Sequence, residues 1–301
     1  MPVIIGPNER RQAGKAKRRR LRPRLVFVLM FAAFVIFATI LAPRWFPLIS
    51  GSDDAAISME RTQRRLRADF GLPMPGAPDV TRLPERLAEH GVSQGAAIFM
   101  RIFKREFELE LWMKRDGVFH RFATYPICRW SGALGPKFKT GDHQAPEGFY
   151  SVDASALNPN SSWYRSFNLG YPNAFDAAHG RTGSLIMVHG GCASVGCFAM
   201  TNAQMGEIWS LVTGALNAGQ KRFQVQVFPF RMTDERLKGY AGHAALPFWQ
   251  MLKQGHDLFE AGLLPPRISV CKGVYGFEPS GLYPNGDGGI ENRCPASAAK
   301  S

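Results

Sequence analysis

An α+β domain built mostly of strands, with flanking helices and one transmembrane helix ahead of it, is the fold class this sequence predicts. Three observations lead there. An eighteen-residue apolar run, Leu25–Ala42, follows a basic tail. Period-two apolar alternation sets in after residue 95, and helical periodicity is confined to a few capped segments. With 301 residues, 45% hydrophobic and 20% charged, the chain can bury a sizeable core, which excludes collagen-like, wholly disordered and disulfide-scaffold classes.

The net charge of +13 invites a nucleic-acid reading until its location is examined. Residues 1–24 carry nine Lys/Arg against Glu9 alone, so most of the excess is a tail property. Elsewhere basic residues come only in short pairs such as Arg64-Arg65, without the interleaved aromatics of a nucleic-acid surface, and no nucleic-acid partner is expected. A helix over residues 25–42 would span roughly 27 Å, close to the hydrocarbon thickness of a bilayer. Pro43-Arg44-Trp45 then supplies a stop, a charge and an interfacial aromatic. The run exceeds the ~7–15 residues of a signal-peptide core, and Pro43 makes a poor cleavage junction, so an uncleaved signal anchor is expected. Positive charge before the span predicts a basic cytoplasmic tail (1–24), a single-pass anchor (25–42) in the inner membrane and an extracytoplasmic, periplasmic remainder. The five cysteines would then face an oxidising compartment, and their odd number leaves at least one thiol free or paired between chains.

Residues 43–95 read as a stalk or linker with short helices: a charged one around 58–68, a Pro/Gly stretch from Gly71 to Pro78, and another helix around 84–90 closed by Gly91. Strands are expected at 96–104 and 106–114. In the second, Phe107, Leu109, Leu111 and Met113 alternate with Glu106, Glu108, Glu110 and Trp112, which predicts one buried face. Further strands are expected at 119–124, 149–152, 184–188 and 223–228. Two long loops, 130–148 and 158–183, are rich in aromatics, which points to function. Thr201-Asn-Ala-Gln204 has capping-box spacing for a helix to about Asn217. A helix near 247–260 and a Gly/Pro-rich, disordered end from about Pro279 make residues 233–301 a C-terminal helical extension and tail.

The chemistry concentrates in Ser184–Met200. An apolar strand delivers His189, Gly190-Gly191 turns the chain, and Cys197 follows just before a capped helix. A thiol at a helix N-terminus gains thiolate stability from the dipole and free N–H groups, and the histidine eight residues earlier can fold back onto it as a Cys/His pair. The same N–H groups can form an oxyanion hole, and Gly196 permits close backbone approach to a substrate. Other readings stand beside this one. Cys197 can be a buried structural cysteine, Cys192 can pair with Cys197 or fill the core, and Cys271 can bridge Cys294. His179, His189, Cys192 and Cys197 offer zinc-binding atoms but match no common ligand spacing, so neither metal nor cofactor is expected. His143, beside Asp142, can line a cleft or simply be solvated.

Ser194-Val-Gly-Cys197 after His189-Gly190 resembles the signature of the L,D-transpeptidase (YkuD-type) family, and Ala145-Pro-Glu-Gly-Phe-Tyr150 its strand opening. Arg101-Ile-Phe-Lys104, Tyr125-Pro-Ile-Cys128, Leu134-Gly-Pro-Lys137, Gly170-Tyr-Pro-Asn173, Phe175-Asp176 and Phe228-Pro-Phe-Arg231 are similar to its YafK-like murein branch. The resemblance covers about residues 96–232. It implies a β-sandwich or barrel-like catalytic domain acting on peptidoglycan stem peptides, with roles in cell-wall biogenesis or degradation and cell shape. By position it makes Cys197 the nucleophile that forms a thioacyl-enzyme and His189 the general base and acid. It gives the Gly190 carbonyl the task of orienting the imidazole, the Gly196 and Cys197 N–H groups the oxyanion hole, and Ser194 a loop-shaping part. Transfer to an amine is the expected outcome. Hydrolysis as an L,D-carboxypeptidase or amidase, and non-catalytic wall binding, are the alternatives. Two departures stand out. Val195 occupies a position where the better-known branch has His, with a longer His-to-Cys interval there, and Phe198-Ala199-Met200 lacks the Arg that commonly follows the cysteine.

Overall fold

The computed structural model describes residues 30–32, 53–281, 283 and 285–294. The chain divides into two units, Met1–Gly51 and Ser52–Ser301. In the first, Met30, Phe31 and Ala32 are helical and exposed. The basic tail and the rest of the expected anchor lie outside the described residues, as do residues 295–301. Among the described residues no helix is long and apolar enough to cross a membrane.

The second unit is organised around two five-stranded sheets. The first has the order β3-β2-β1-β10-β5, from β1 (Ile98–Phe103), β2 (Glu108–Arg115), β3 (Val118–Pro126), β5 (Gly148–Asp153) and β10 (Arg222–Phe228). β1 and β10 run parallel and the other pairs antiparallel. The second has the order β4-β9-β8-β7-β6, from short strands: β4 (Arg129–Trp130), β6 (Leu157–Asn158), β7 (Ser166–Asn168), β8 (Met187–His189) and β9 (Phe198–Ala199). Valine, isoleucine and phenylalanine fill both inner faces, as sheets that bury their surfaces require.

The capping box is realised at α4 (Asn202–Asn217): Thr201 accepts from the Gln204 N–H, and the Gln204 side chain accepts from Thr201 N–H. Its buried stripe, Met205, Ile208, Leu211, Val212 and Ala215, joins the main core.

Two segments read from sequence as appendages are parts of this unit. The "stalk" begins with α1 (Asp53–Asp69) and continues to α2 (Leu83–Glu89). Arg64 donates to the Ile127 carbonyl at 2.8 Å, Arg61 to the Gly132 carbonyl at 2.6 Å, and the Arg61 guanidinium lies 4.2 Å from the Trp130 ring centroid. These two arginines thus clamp α1 to β4 and its flanks.

The region after residue 232 likewise completes the fold. α6 (Leu246–Gly262) covers the outer face of the first sheet, where Phe99, Phe119 and Phe259 cluster and Glu260 pairs with buried Arg101 at 2.5 Å. β2 is therefore covered on both faces: Glu110 is buried beside Arg101, Arg121 and Arg231. Alternation suggested one wet face because a carboxylate reads as exposed when its arginine partners lie far away in sequence. Ahead of the Gly/Pro-rich end, which the sequence places from about Pro279, the chain forms a hairpin that the sequence left unmarked, β11 (Arg267–Cys271) with β12 (Val274–Glu278). Residues to 294 are tied to it by the Val270 N–H bond to the Glu291 carbonyl (2.7 Å) and by the Cys271–Cys294 disulfide.

Candidate active site

The second sheet is the platform of the site. Because side chains alternate along strands, residues directly opposite one another across neighbouring strands share a face. His189 on β8 lies opposite Ser166 on β7 and Ala199 on β9, and Ala199 lies opposite Arg129 on β4. Arg129, Ala199, His189 and Ser166 therefore form one row. Val188 and Phe198 point the other way, into the core. Cys197 stands one residue ahead of β9, beside Met187, whose N–H donates to its Sγ at 3.4 Å. The Cys197 S–H in turn faces the Leu185 carbonyl at 3.6 Å. His189, Cys197, Ser166 and Arg129 all line one cleft of about 900 Å³. The strand expected from Ser184 begins only at Met187, since Leu185 adopts φ 55° and interrupts the extended run.

The His189 Nδ1 sits 2.5 Å from the Gly190 carbonyl oxygen. A carbonyl can only accept, so Nδ1 carries the proton and Nε2 keeps its lone pair. Burial pushes the imidazole pKa down against that hydrogen bond. Burial likewise raises the Cys197 thiol, opposed by the Met187 N–H and the Lys137 charge. Both shifts favour the uncharged form, so the resting pair is thiol and neutral imidazole. Helix stabilisation of a thiolate, expected from sequence, is absent. β9 separates Cys197 from α4, and the capping box occupies N–H groups at that helix start.

The loop from 190 to 197 is held at several points. Gly190 and Gly191 are crossed by the 163–164 segment: a Cβ on Gly190 would meet Asn202 Oδ1 at 2.6 Å, and one on Gly191 would meet the Trp163 ring at 2.9 Å. The Ser194 hydroxyl donates to the Cys197 carbonyl at 2.6 Å. The Gly196 N–H, with φ +103° at its residue, donates to Ser131 Oγ. Cys192 bonds to Cys128, directly before β4. It therefore neither pairs with Cys197 nor is available to a metal, and Cys197 is the free cysteine. Among the described residues no cluster of His, Cys, Asp or Glu could hold a metal ion.

The other candidates are elsewhere. His179 packs on Phe175 with Nδ1 on its carbonyl. His143 is an exposed loop residue. Asp142 organises that loop: partial burial alone would raise its carboxyl, but Lys137 and the N–H groups of Lys139, Phe138 and Gln144 hold it at about 2. Asp176 closes a capping box with Asn173 and pairs with Arg181. Arg129, Ser131, Trp163 and Ser166 went unnoticed in the sequence, and Arg65 was read there only as one of a short basic pair. A two-residue strand has no periodicity to detect, and only the aromatic richness of loop 158–183 hinted at Trp163.

Residues 106–227 match the YkuD family of L,D-transpeptidase catalytic domains. YafK of Escherichia coli (strain K12), assigned by name to the L,D-transpeptidases, is 46% identical over 181 residues, 60% of this chain and 74% of its own length. The chain belongs to the L,D-transpeptidase family. The YafK of Escherichia coli O157:H7 matches with the same figures. Among solved structures, the helical cell shape determining protein Pgp2 from Campylobacter jejuni is 21% identical with a TM-score of 0.36, over 58% of this chain and 65% of that one. Bd1075 of Bdellovibrio bacteriovorus is 17% identical with a TM-score of 0.32, over 54% and 60%. Membership rests on the domain match and the YafK identity. The L,D-transpeptidase domain match ends at β10, yet α1 contributes Arg65, Ala68 and Asp69 to the cleft wall.

Proposed function

We propose that this L,D-transpeptidase family member is a membrane-anchored peptidoglycan transpeptidase that uses Cys197 as nucleophile and His189 as general base and acid on stem peptides. The observation that carries the reading is a free thiol just ahead of β9 and an Nδ1-protonated imidazole at the end of β8, its parallel neighbour, both lining one cleft.

The chemistry follows from the resting protonation. His189 Nε2 takes the thiol proton as Sγ attacks the carbonyl carbon of an L,D peptide bond. The oxyanion is received by the Cys197 N–H and by the Gly196 N–H once Ser131 Oγ yields it. Collapse breaks the C–N bond, and the imidazolium returns its proton to the departing amine, leaving a thioester. An acceptor amine, deprotonated by His189, attacks the thioester and regenerates the thiol. Ser194 keeps its loop-shaping part through its bond to the Cys197 carbonyl, and Gly190 its orienting one.

The same reading puts residues 25–42 in the inner membrane, the N-terminus in the cytoplasm and the catalytic unit outside. Two disulfides, which persist in oxidising compartments, support it. Full-length protein in detergent, incubated with muropeptides, tests the chemistry. Crosslinked or exchanged products mean transfer, and shortened stems mean hydrolysis on the same scaffold. Full activity in Cys197→Ala would refute the mechanism. Reporter fusions at both termini test the topology.

A further inference from the structure

The row Arg129–Ala199–His189–Ser166 continues on both sides of the histidine. Arg129 lies two strands away, about 10 Å at the usual strand spacing, across the small Ala199. Its neighbour Trp130 is buried in the core, so alternation turns the Arg129 side chain to the cleft side. None of the ion pairs among the described residues includes Arg129. The carboxylate lining the cleft, Asp69, pairs instead with Arg65 at 3.7 Å on α1. Arg61 stands near enough for the two guanidiniums to oppose one another: burial first, then the Arg129 charge, lowers the Arg61 pKa. At the other end of the row, the Ser166 hydroxyl is buried with no hydrogen-bond partner although its residue lines the cleft. A cleft floor with an unneutralised guanidinium at one end and an unpartnered hydroxyl at the other is built for a polar, negatively charged ligand.

We infer that Arg129 forms a carboxylate-recognition subsite that seats a free carboxylate of the stem peptide and so sets which bond reaches Cys197. This rests on the peptidoglycan reading above. Two carboxylates share the chemistry: the terminal one beyond the scissile bond, and that of the diamino acid before it. A guanidinium grips either through paired N–H donors, a geometry that a lysine cannot reproduce. The subsite also supplies a cation where the chain has Phe198-Ala199-Met200 in place of the family's frequent arginine after the cysteine.

The test measures KM and kcat for full-length wild type, Arg129→Gln and Arg129→Lys on one muropeptide in three forms: both carboxylates free, the terminal one amidated, and the diamino-acid one amidated. Wild type is expected to lose about 10- to 100-fold in kcat/KM on one amidated form, through KM, and that form names the carboxylate. Arg129→Gln should show the weakened KM on every form, with kcat within about twofold, and Arg129→Lys should be intermediate. Equal wild-type kcat/KM on all three forms overturns the subsite alone, whatever the variants do. Undiminished discrimination in either variant overturns it too. No turnover of any form by wild type overturns the peptidoglycan reading and the subsite together.

Discussion

Replacing Cys128 and Cys192 with alanine removes the covalent tie between β4 and the loop that joins His189 to Cys197, the proposed catalytic pair. The two half-cystines are 64 residues apart in sequence. Opening a loop of that size returns chain entropy to the unfolded state worth about 4 kcal/mol. For a unit the size of Ser52–Ser301 that is a fall in Tm of about 8–16 °C. The companion bond, Cys271–Cys294, closes only 23 residues, and its loss should cost about 3 kcal/mol. The two differ in consequence. Cys192 lies between His189 and Cys197 in the cleft wall, whereas Cys271 and Cys294 pin the C-terminal hairpin. Misplacing a reacting group by about 1 Å can cost 100-fold, so Cys128→Ala/Cys192→Ala should lower kcat on muropeptides about 10- to 100-fold well below its Tm. Cys271→Ala/Cys294→Ala should leave kcat near wild type. Urea melts and turnover of both variants, at a temperature where each is folded, decide it. Wild-type kcat in the first variant, or equal losses in both, would refute the argument that this bond positions the loop between His189 and Cys197.

Burial lowers the His189 pKa and raises that of Cys197, so the acid limb of kcat/KM should fall below the ordinary imidazole value of 6.5 and the alkaline limb above the ordinary thiol value of 9.0. Iodoacetamide alkylation of Cys197 should track the same alkaline limb, and a thiolate titrating below neutrality would contradict the neutral pair. Gly191→Ala brings a Cβ within 2.9 Å of the Trp163 ring at φ +92°, a backbone cost of about 1–2 kcal/mol. It should displace Trp163, read as a shift in tryptophan emission with a fall in kcat. Lys104→Met strips the donor from the Gly135 and Ala145 carbonyls (both 3.0 Å) and leaves the buried Glu147 carboxylate without its cation. That should cost about 3–5 kcal/mol in urea melts, partly recovered by adding Glu147→Leu. A loss under about 1 kcal/mol would show the pair to be dispensable.

Local signals were legible wherever a few neighbouring residues carry them. The capping box of α4, the start of α6 at Leu246-Pro247 and the alternation of β2 all appear where their patterns put them. The loop with His189, Gly190, Ser194, Gly196 and Cys197 was readable because its residues lie within nine positions. Glu110, by contrast, was misread as wet, since its partners Arg101 and Arg231 come from other strands and loops. The same distance effect hid Arg64 on the Ile127 carbonyl, and hid Ser131, which reaches Gly196 across 65 positions.

By itself the sequence determined the chemical inventory: one strand-end histidine, a cysteine on a glycine-bearing loop, an odd thiol count and a basic tail before an apolar run. These are properties of composition and short-range order, which backbone sterics and hydrophobic periodicity translate directly into local structure. Only the tertiary structure decided which cysteines pair, that the thiol and imidazole rest uncharged, and that α1 and α6 belong to the catalytic body. It also decided that Arg129 shares a row with His189. Each of these depends on burial and on cross-strand register, and both are set by contacts between residues tens of positions apart, where no local pattern in the chain can encode them.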